Sequence, residues 1–235
     1  MVSVASVNLL KSVPCFANLS LQALGLLLSS ARERPFVKGE IVLLEGEPCP
    51  GLFVVKSGSV KLYRISPSGD EQIMRTVYPG GCFECAPIFD GGPNPVSAQA
   101  LEASRLVFIP IANFQATTSA YPEIVVQLAP ILAMRLRDLL TTVEDFSFSK
   151  VSARLARLLL QLGERQGTHP TETSRPLTQQ HLACVVGCSR QVLNSSLRDL
   201  VRKGIIKTEK RRIIVLKPEA LMKLAFPDSI DQKPL

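Results

Sequence analysis

No stretch of this 235-residue sequence is both apolar and long enough to cross a bilayer. The longest charge-free, mostly apolar runs, residues 21–31 and 124–134, fall well short of the ~20 residues that a spanning helix needs, which excludes a membrane-spanning helix. Residues 1–11 lack the basic start, long apolar core and small-residue cleavage site of a signal peptide, so a cytoplasmic protein is expected. Cysteine is sparse: Cys15, Cys49, Cys82, Cys85, Cys184 and Cys188 are too few for a disulfide scaffold in a chain of this size, and a reducing cytosol keeps them as thiols. Histidine is sparser still, with only His169 and His181. A thiol enzyme needs a base beside its nucleophile, and residues 1–146 contain no histidine. No catalytic residue is assigned, and the chain is not read as an enzyme.

What is present describes a folded chain of one or two domains: 46% hydrophobic residues, 20% charged residues and a mean hydropathy of +0.20. Charge is strongly segregated. Residues 1–146 hold 11 Lys and Arg against 13 Asp and Glu, a net of −2. Residues 147–226 hold 15 against 5, a net of +10. The whole basic excess sits in the C-terminal third, the electrostatic footprint of a nucleic-acid-binding domain attached to a near-neutral one.

Three patterns follow one another along the chain. The first 35 residues carry Leu9, Leu10, Leu19, Leu21, Leu24, Leu27 and Leu28 at helical intervals, with Ser20 as a cap. From Pro35, short runs rich in β-branched and aromatic residues (41–44, 52–55, 60–63, 73–78) alternate with turn signals at Lys38-Gly39, Glu45-Gly46, Ser57-Gly58, Ser68-Gly69 and Pro79-Gly80-Gly81, and the pattern runs on to Ile109. Many short strands at close spacing predict a β-barrel or roll. From Pro122 the period becomes helical. Val125, Leu128, Leu132, Leu136, Leu139 and Val143 draw one apolar seam along a helix, predicted to join two copies of the chain. Pro130 lies inside that helix and predicts a kink. A hinge is expected at 145–148, and then a helix over 151–163 with Leu155, Leu158, Leu159 and Leu162 on one face and Arg154 and Arg157 on the other.

Residues 177–200 read as two short helices about a glycine turn, with Thr178 and Ser189 as N-caps and Gly187 as the turn. Leu182, Ala183, Val186, Val192, Leu197 and Leu200 are the expected core between them. The second helix then presents Arg190, Gln191, Asn194 and Ser195, side chains suited to base edges: Arg to guanine O6 and N7, Gln or Asn to adenine N6 and N7. Residues 204–215 predict two strands with a charged tip, where Lys210, Arg211 and Arg212 would meet phosphate. Together with Thr178 and Gln179 these form the candidate DNA-contacting set.

With these motifs in sequence, the chain resembles the cyclic-AMP receptor/FNR (Crp/Fnr) family of bacterial transcription regulators. The resemblance is carried by Lys38-Gly39-Glu40 through Glu45-Gly46-Glu47-Pro48, by residues 52–60, by Pro79-Gly80-Gly81, and by the seam helix, hinge and winged helix in family order. It implies an α+β chain with an N-terminal cyclic-nucleotide-binding-like β-roll or jelly roll (1–112), a long dimerisation helix (113–146) and a C-terminal winged helix-turn-helix (147–235). It further implies a homodimer on double-stranded DNA with two-fold related half-sites, and contacts with RNA polymerase. Arg190 matches a guanine-reading arginine of the family, whereas Gln191 replaces a glutamate and Ser195 an arginine.

The effector pocket departs from the family members that bind cyclic AMP. Where those carry a Gly-Glu and an Arg-Ser pair, this chain has Glu84-Cys85 and Asn94-Pro95, and where the long helix offers them hydroxyl residues this one has Leu139 and Leu140. No Lys, Arg or His occurs between Thr76 and Ser104. A cyclic phosphate needs cationic or multiple donors, so cyclic AMP is not expected to bind in the family mode. Glu84, Cys85, Asn94, Leu139 and Leu140 remain the positions at which another effector would be met. Residues 83–100 look most like the nitrate-respiration and nitrosative-stress branch of the family, which brings haem into consideration. With no histidine in this region, haem would need cysteine or methionine ligands. An iron-sulfur cluster is a second option, but the N-terminal cysteine cluster of the FNR branch is absent. Cys82 and Cys85 have metal-ligand spacing, although an extended strand would hold their thiols apart. The cysteines are therefore read as buried, inert thiols and no metal site is assigned; a thiol switch and a cofactor site are the alternatives.

Overall fold

Residues 51–57 are apolar on both faces of one strand, and the fold of the N-terminal region follows from how both faces are covered. The computed structural model describes residues 4–83, 86–164, 178–209 and 212–226. Helices α1 (Val4–Ser12) and α2 (Leu21–Ser29) flank a 3₁₀ turn, and Ser20 caps α2 by accepting from the Ala23 N–H at 3.2 Å. Eight strands follow: β1 (Arg32–Phe36), β2 (Ile41–Leu43), β3 (Gly51–Ser57), β4 (Val60–Ile65), β5 (Glu71–Val77), β6 (Cys82–Phe83), β7 (Ser97–Ala100) and β8 (Ser104–Pro110), with the short helix α3 (Ala86–Asp90) after β6. They form two antiparallel sheets, ordered β1-β8-β3-β6 and β2-β7-β4-β5.

Alternation along β3 divides its side chains. Phe53 and Val55 join Leu43, Val60, Leu62, Val77, Phe83, Ala98 and Leu106 in a core between the sheets. Leu52 and Val54 face the other way, into a core shared with Leu24, Leu27, Phe114, Ile124 and Leu128 of the helices. Gly51 begins the strand at φ +148°, where a Cβ would lie 2.1 Å from the Ile109 carbonyl oxygen. Only glycine fits that approach.

β1 was not expected: its exposed Arg-Glu-Arg-Pro-Phe sequence has no apolar alternation. It is an edge strand, where charge and proline are tolerated because one side of the ladder is unpaired. The long helix also differs from expectation. Residues 113–146 hold most of α4 (Ile111–Ala120), a break at Tyr121 and Pro122, and then most of α5 (Glu123–Phe148), which contains Pro130. The predicted seam is not continuous. Leu128 is 1% exposed and packs into the helix-covered core, Leu132 is half-buried, and Val125, Leu136, Leu139 and Val143 are exposed. The first turns of α5 lie on the first sheet, which removes Leu128 from the seam.

The chain divides into two units, Met1–Leu139 and Leu140–Leu235, with the boundary inside α5. The second contains α6 (Val151–Glu164), α7 (Gln179–Val186), α8 (Arg190–Arg202), the hairpin β9 (Ile206–Glu209) and β10 (Arg212–Val215), and α9 (Pro218–Ala225) around one core that includes Leu155, Leu159, Leu193, Leu197, Ile206 and Leu221. The hinge expected at 145–148 is helical, and the break falls at Ser149 and Lys150. The Ser149 N–H still bonds the Asp145 carbonyl at 3.0 Å, extending the last turn of α5.

Arg154, on the face opposite the leucines, is half-buried where two helices end. Its Nε donates to the Val186 carbonyl (2.9 Å) and its Nη2 to that of Gly187 (3.3 Å), at the end of α7. Its Nη1 donates to the carbonyls of Ser149 (2.9 Å) and Asp145 (3.3 Å), at the end of α5. The guanidinium also lies 4.9 Å from the Phe146 ring centroid. Arg157 completes the cluster with an ion pair to Asp145 at 2.9 Å and a bond to Ser149 Oγ at 2.7 Å. Terminal carbonyls of a helix carry partial negative charge and lack intrahelical partners, so one cation satisfies two helix ends at once. Arg154→Ala leaves these carbonyls without their donor and is expected to destabilise the second unit by about 2–4 kcal/mol, read by urea unfolding with hydrogen exchange across residues 178–215 as the local probe.

Candidate nucleic-acid interface

Two side-chain caps and one left-handed glycine build the turn between α7 and α8. Thr178 Oγ1 accepts from the His181 N–H at 3.1 Å, and Ser189 Oγ accepts from the Val192 N–H at 3.3 Å. Gly187 takes φ 69° and ψ 55°, and its N–H closes α7 on the Ala183 carbonyl at 2.9 Å. The core between the helices is Leu182, Ala183, Val186, Leu193, Leu197 and Leu200. Val192, expected in this core, is 44% exposed, and Leu193 takes its place at 0%. Burial at 193, 197 and 200 follows the i, i+4, i+7 stripe that α8 presents once Ser189 fixes its first residue.

With the inner stripe so fixed, Arg190, Gln191, Ser195 and Arg198 stand exposed on α8, and Asn194 is half-buried. The Asn194 Oδ1 is enclosed and has no hydrogen-bond partner. A hollow of about 600 Å³ brings together Thr178 and Gln179 from the start of α7, Arg190 from the start of α8, and Thr208, Glu209 and Arg212 from the hairpin. A second, also about 600 Å³, is lined by Gln179, Asn194, Arg198, Arg202 and Thr208. Four predicted residues, Thr178, Gln179, Arg190 and Arg212, thus meet around one hollow, and Asn194 lines its neighbour. Lys210 and Arg211 lie outside the described residues. Sequence reasoning missed Arg198 and Thr208. Arg198 was within reach of it, lying four residues beyond Asn194 on the same helical face.

The cations here are unequally balanced. Asp199 pairs with Arg202 and with Lys203 (3.5 Å), and Glu209 pairs with Lys207. Among the described residues no carboxylate pairs with Arg190 or Arg198. The charges of Arg190 and Arg198 therefore lie at the N-terminal and middle turns of α8, and at the N-terminal turn the helix dipole adds to them. Behind the turn, Cys184 is buried and Cys188 half-buried. Burial pushes the Cys188 thiol above its ordinary pKa, and the nearby Arg154 charge only partly opposes this.

In the roll, Asn94 is buried at 2% exposure and clamps the 44–47 turn. Its Nδ2 donates to the Leu44 carbonyl (3.0 Å), its N–H donates to the Glu47 carbonyl (2.8 Å), and its own carbonyl accepts from the Gly46 N–H (2.9 Å). Leu139 and Leu140 are exposed, and Glu84 and Cys85 lie outside the described residues. Cys82 is buried and Cys49 half-buried. Among the described residues no three His, Cys, Asp or Glu side chains cluster as metal ligands, and no helix there is long and apolar enough to cross a membrane.

Residues 33–121 match the cyclic nucleotide-binding domain and residues 153–224 the Crp-like helix-turn-helix domain. The chain is 32% identical over 213 residues to a CRP-like cAMP-activated global transcriptional regulator of Mycobacterium tuberculosis, covering 89% of this chain and 95% of that one. It is 25% identical over 197 residues to the transcriptional activator protein Anr of Pseudomonas aeruginosa, covering 83% and 80%. In structure it is similar to a CRP/FNR-family transcriptional regulator of Thermus thermophilus, with a TM-score of 0.67 and 26% identity over 83% of this chain and 98% of that one. A roll followed by a capped helix-turn-helix and a two-stranded wing, matched by both domain families and by a relative along nearly its full length, identifies a chain that belongs to the Crp/Fnr family of transcription regulators.

Proposed function

We propose that this regulator acts as a homodimer on double-stranded DNA with two-fold related half-sites, each α8 entering a major groove. The observation that carries this reading is the meeting of Arg190, Gln179 and Arg212 around one hollow, with no carboxylate of the described residues on Arg190. Arg190 would read guanine, Asn194 and Gln191 would meet neighbouring base edges, and Thr178, Gln179, Ser189 and Ser195 would contribute shorter polar contacts. Arg212, with Lys210 and Arg211 at the wing tip, would meet phosphate, which sets register and salt dependence but not sequence. As in the family, RNA polymerase is the downstream partner and the cytoplasm the site of action.

The dimer reading is supported by Leu136, Leu139 and Val143, which recur along α5 with their apolar side chains exposed and need a partner to leave water. The roll is read as a sensor that does not take cyclic AMP in the family mode. Supporting this, Asn94 is engaged in holding the 44–47 turn and Pro95 brings neither charge nor a backbone donor.

Three outcomes follow. Arg190→Glu should abolish half-site preference while leaving the dimer intact, removing about 1–3 kcal/mol of base discrimination per half-site; anisotropy titrations against selected and scrambled duplexes read the first and sedimentation velocity the second. Joint Leu136→Glu and Leu139→Glu substitution should yield a folded monomer in sedimentation, with affinity for a full site reduced to that for a single half-site. Because burial raises the Cys188 pKa, little thiolate exists at neutral pH. Cys188 should then alkylate more slowly with iodoacetamide than a free thiol at pH 7 and speed up as pH rises, as measured by mass spectrometry of the 184–190 region.

A further inference from the structure

The hairpin of β4 and β5 has one residue more on β5 than on β4. Near its turn Ile65 pairs with Glu71, Arg64 with Gln72 and Tyr63 with Ile73; past the irregularity Leu62 pairs with Arg75, Lys61 with Thr76 and Val60 with Val77. The extra residue is Met74. Paired residues of an antiparallel ladder share a face, and neighbours along a strand alternate. In an unbroken ladder Arg75 would stand opposite Lys61, on the face where Lys61 pairs with Glu71 and lies 4.4 Å from the Tyr63 ring centroid. With Met74 inserted, Arg75 shares the face of Val60, Leu62 and Val77, which belong to the core between the sheets. Re-aiming one side chain is what a bulge does.

Among the described residues, the guanidinium so placed has no counter-ion. Its Nη2 donates to the Cys82 carbonyl at 2.8 Å. Its Nε is buried without an acceptor, and among the described residues no carboxylate pairs with it. Glu71, the carboxylate on the same strand, is held by Lys61 on the opposite face. The residue after Cys82 is Phe83, whose ring stacks on Phe53 at 5.2 Å with 8° between planes. A guanidinium keeps its charge when buried, and an unmet donor in an apolar interior is satisfied best by an anion.

We propose that Arg75 is the anion anchor of the roll, taking a small anion whose carboxylate or phosphate group accepts from Nε. This deepens the reading of the roll as a sensor and rests on it. The residue differs from the positions at 84–85 and 94–95 where the family resemblance led, and it lies one residue outside the cation-free stretch between Thr76 and Ser104.

The test is hydrogen–deuterium exchange of the full chain, with inorganic phosphate exchanged for chloride at constant ionic strength and pH. Phosphate should slow exchange several-fold in peptides spanning 71–83 of the wild type. The effect should vanish in Arg75→Gln and persist in weakened form in Arg75→Lys, which keeps the charge should the glutamine variant fold poorly. No response at 71–83 in the wild type, an equal response in Arg75→Gln, or a response confined to 178–215 overturns the proposal. A carboxylate probe, acetate, titrated in the same way separates the two anion classes. Duplex binding by the same wild-type preparation, in phosphate-free buffer, tests the regulator reading on its own, so the failure of one is distinguishable from the failure of the other.

Discussion

The DNA-facing unit is organised around a single guanidinium. Arg154 occupies the point where the carbonyl ends of α5 and α7 converge, and its donors reach both. Neither helix end has enough donors of its own: α7 stops at a left-handed glycine and α5 at a serine whose N–H has already turned back. Two clusters of partial negative charge would repel at this distance without a cation between them. Because only two residues separate Gly187 from the start of α8, the direction in which Arg190 leaves the turn depends on this junction. Asp145 and Arg157 brace it from the side, tying the last turn of α5 to α6 and thence to the recognition face.

The roll solves a different problem, that of covering a strand which is apolar on both sides. β3 is the sheet's commitment point: Leu52 and Val54 require helices on one face, Phe53 and Val55 a second sheet on the other. This is why the N-terminal helices and the start of α5 belong to the first unit, and why Leu128 turns toward the sheet. The apolar residues further along α5 have no such surface within their own unit and remain exposed.

Much of this was legible in the chain. Caps at Thr178 and Ser189 with Gly187 between them fix two helices by local chemistry alone, and the switch from period two to period 3.6 near residue 122 marks the long helix. What escaped depends on contacts that sequence spacing does not encode. Val192 and Leu193 are adjacent and both apolar, so which one is buried rests on the exact first residue of α8. Arg154 and Arg157 look like an ordinary charged face until two helix ends arrive from residues 145 and 187. β1 has no alternation to detect because an edge strand of charged residues buries almost nothing. Arg75 faces inward because of a bulge, and a bulge at Met74 has no compositional mark.

The bulge at Met74 bears on how such a roll could diverge. Side-chain orientation in the outer half of the hairpin is set by the turn, and in the inner half by the ladder with β7, so the two halves are phased independently and Met74 absorbs the difference. Losing this one residue would leave a regular ladder with the present pairs, Ile73 opposite Tyr63 and Arg75 opposite Leu62, so the bulge can be gained or lost while Arg75 keeps its inward face. A hairpin built this way absorbs a one-residue change in length at a single point and leaves both flanking strands and their cores in register.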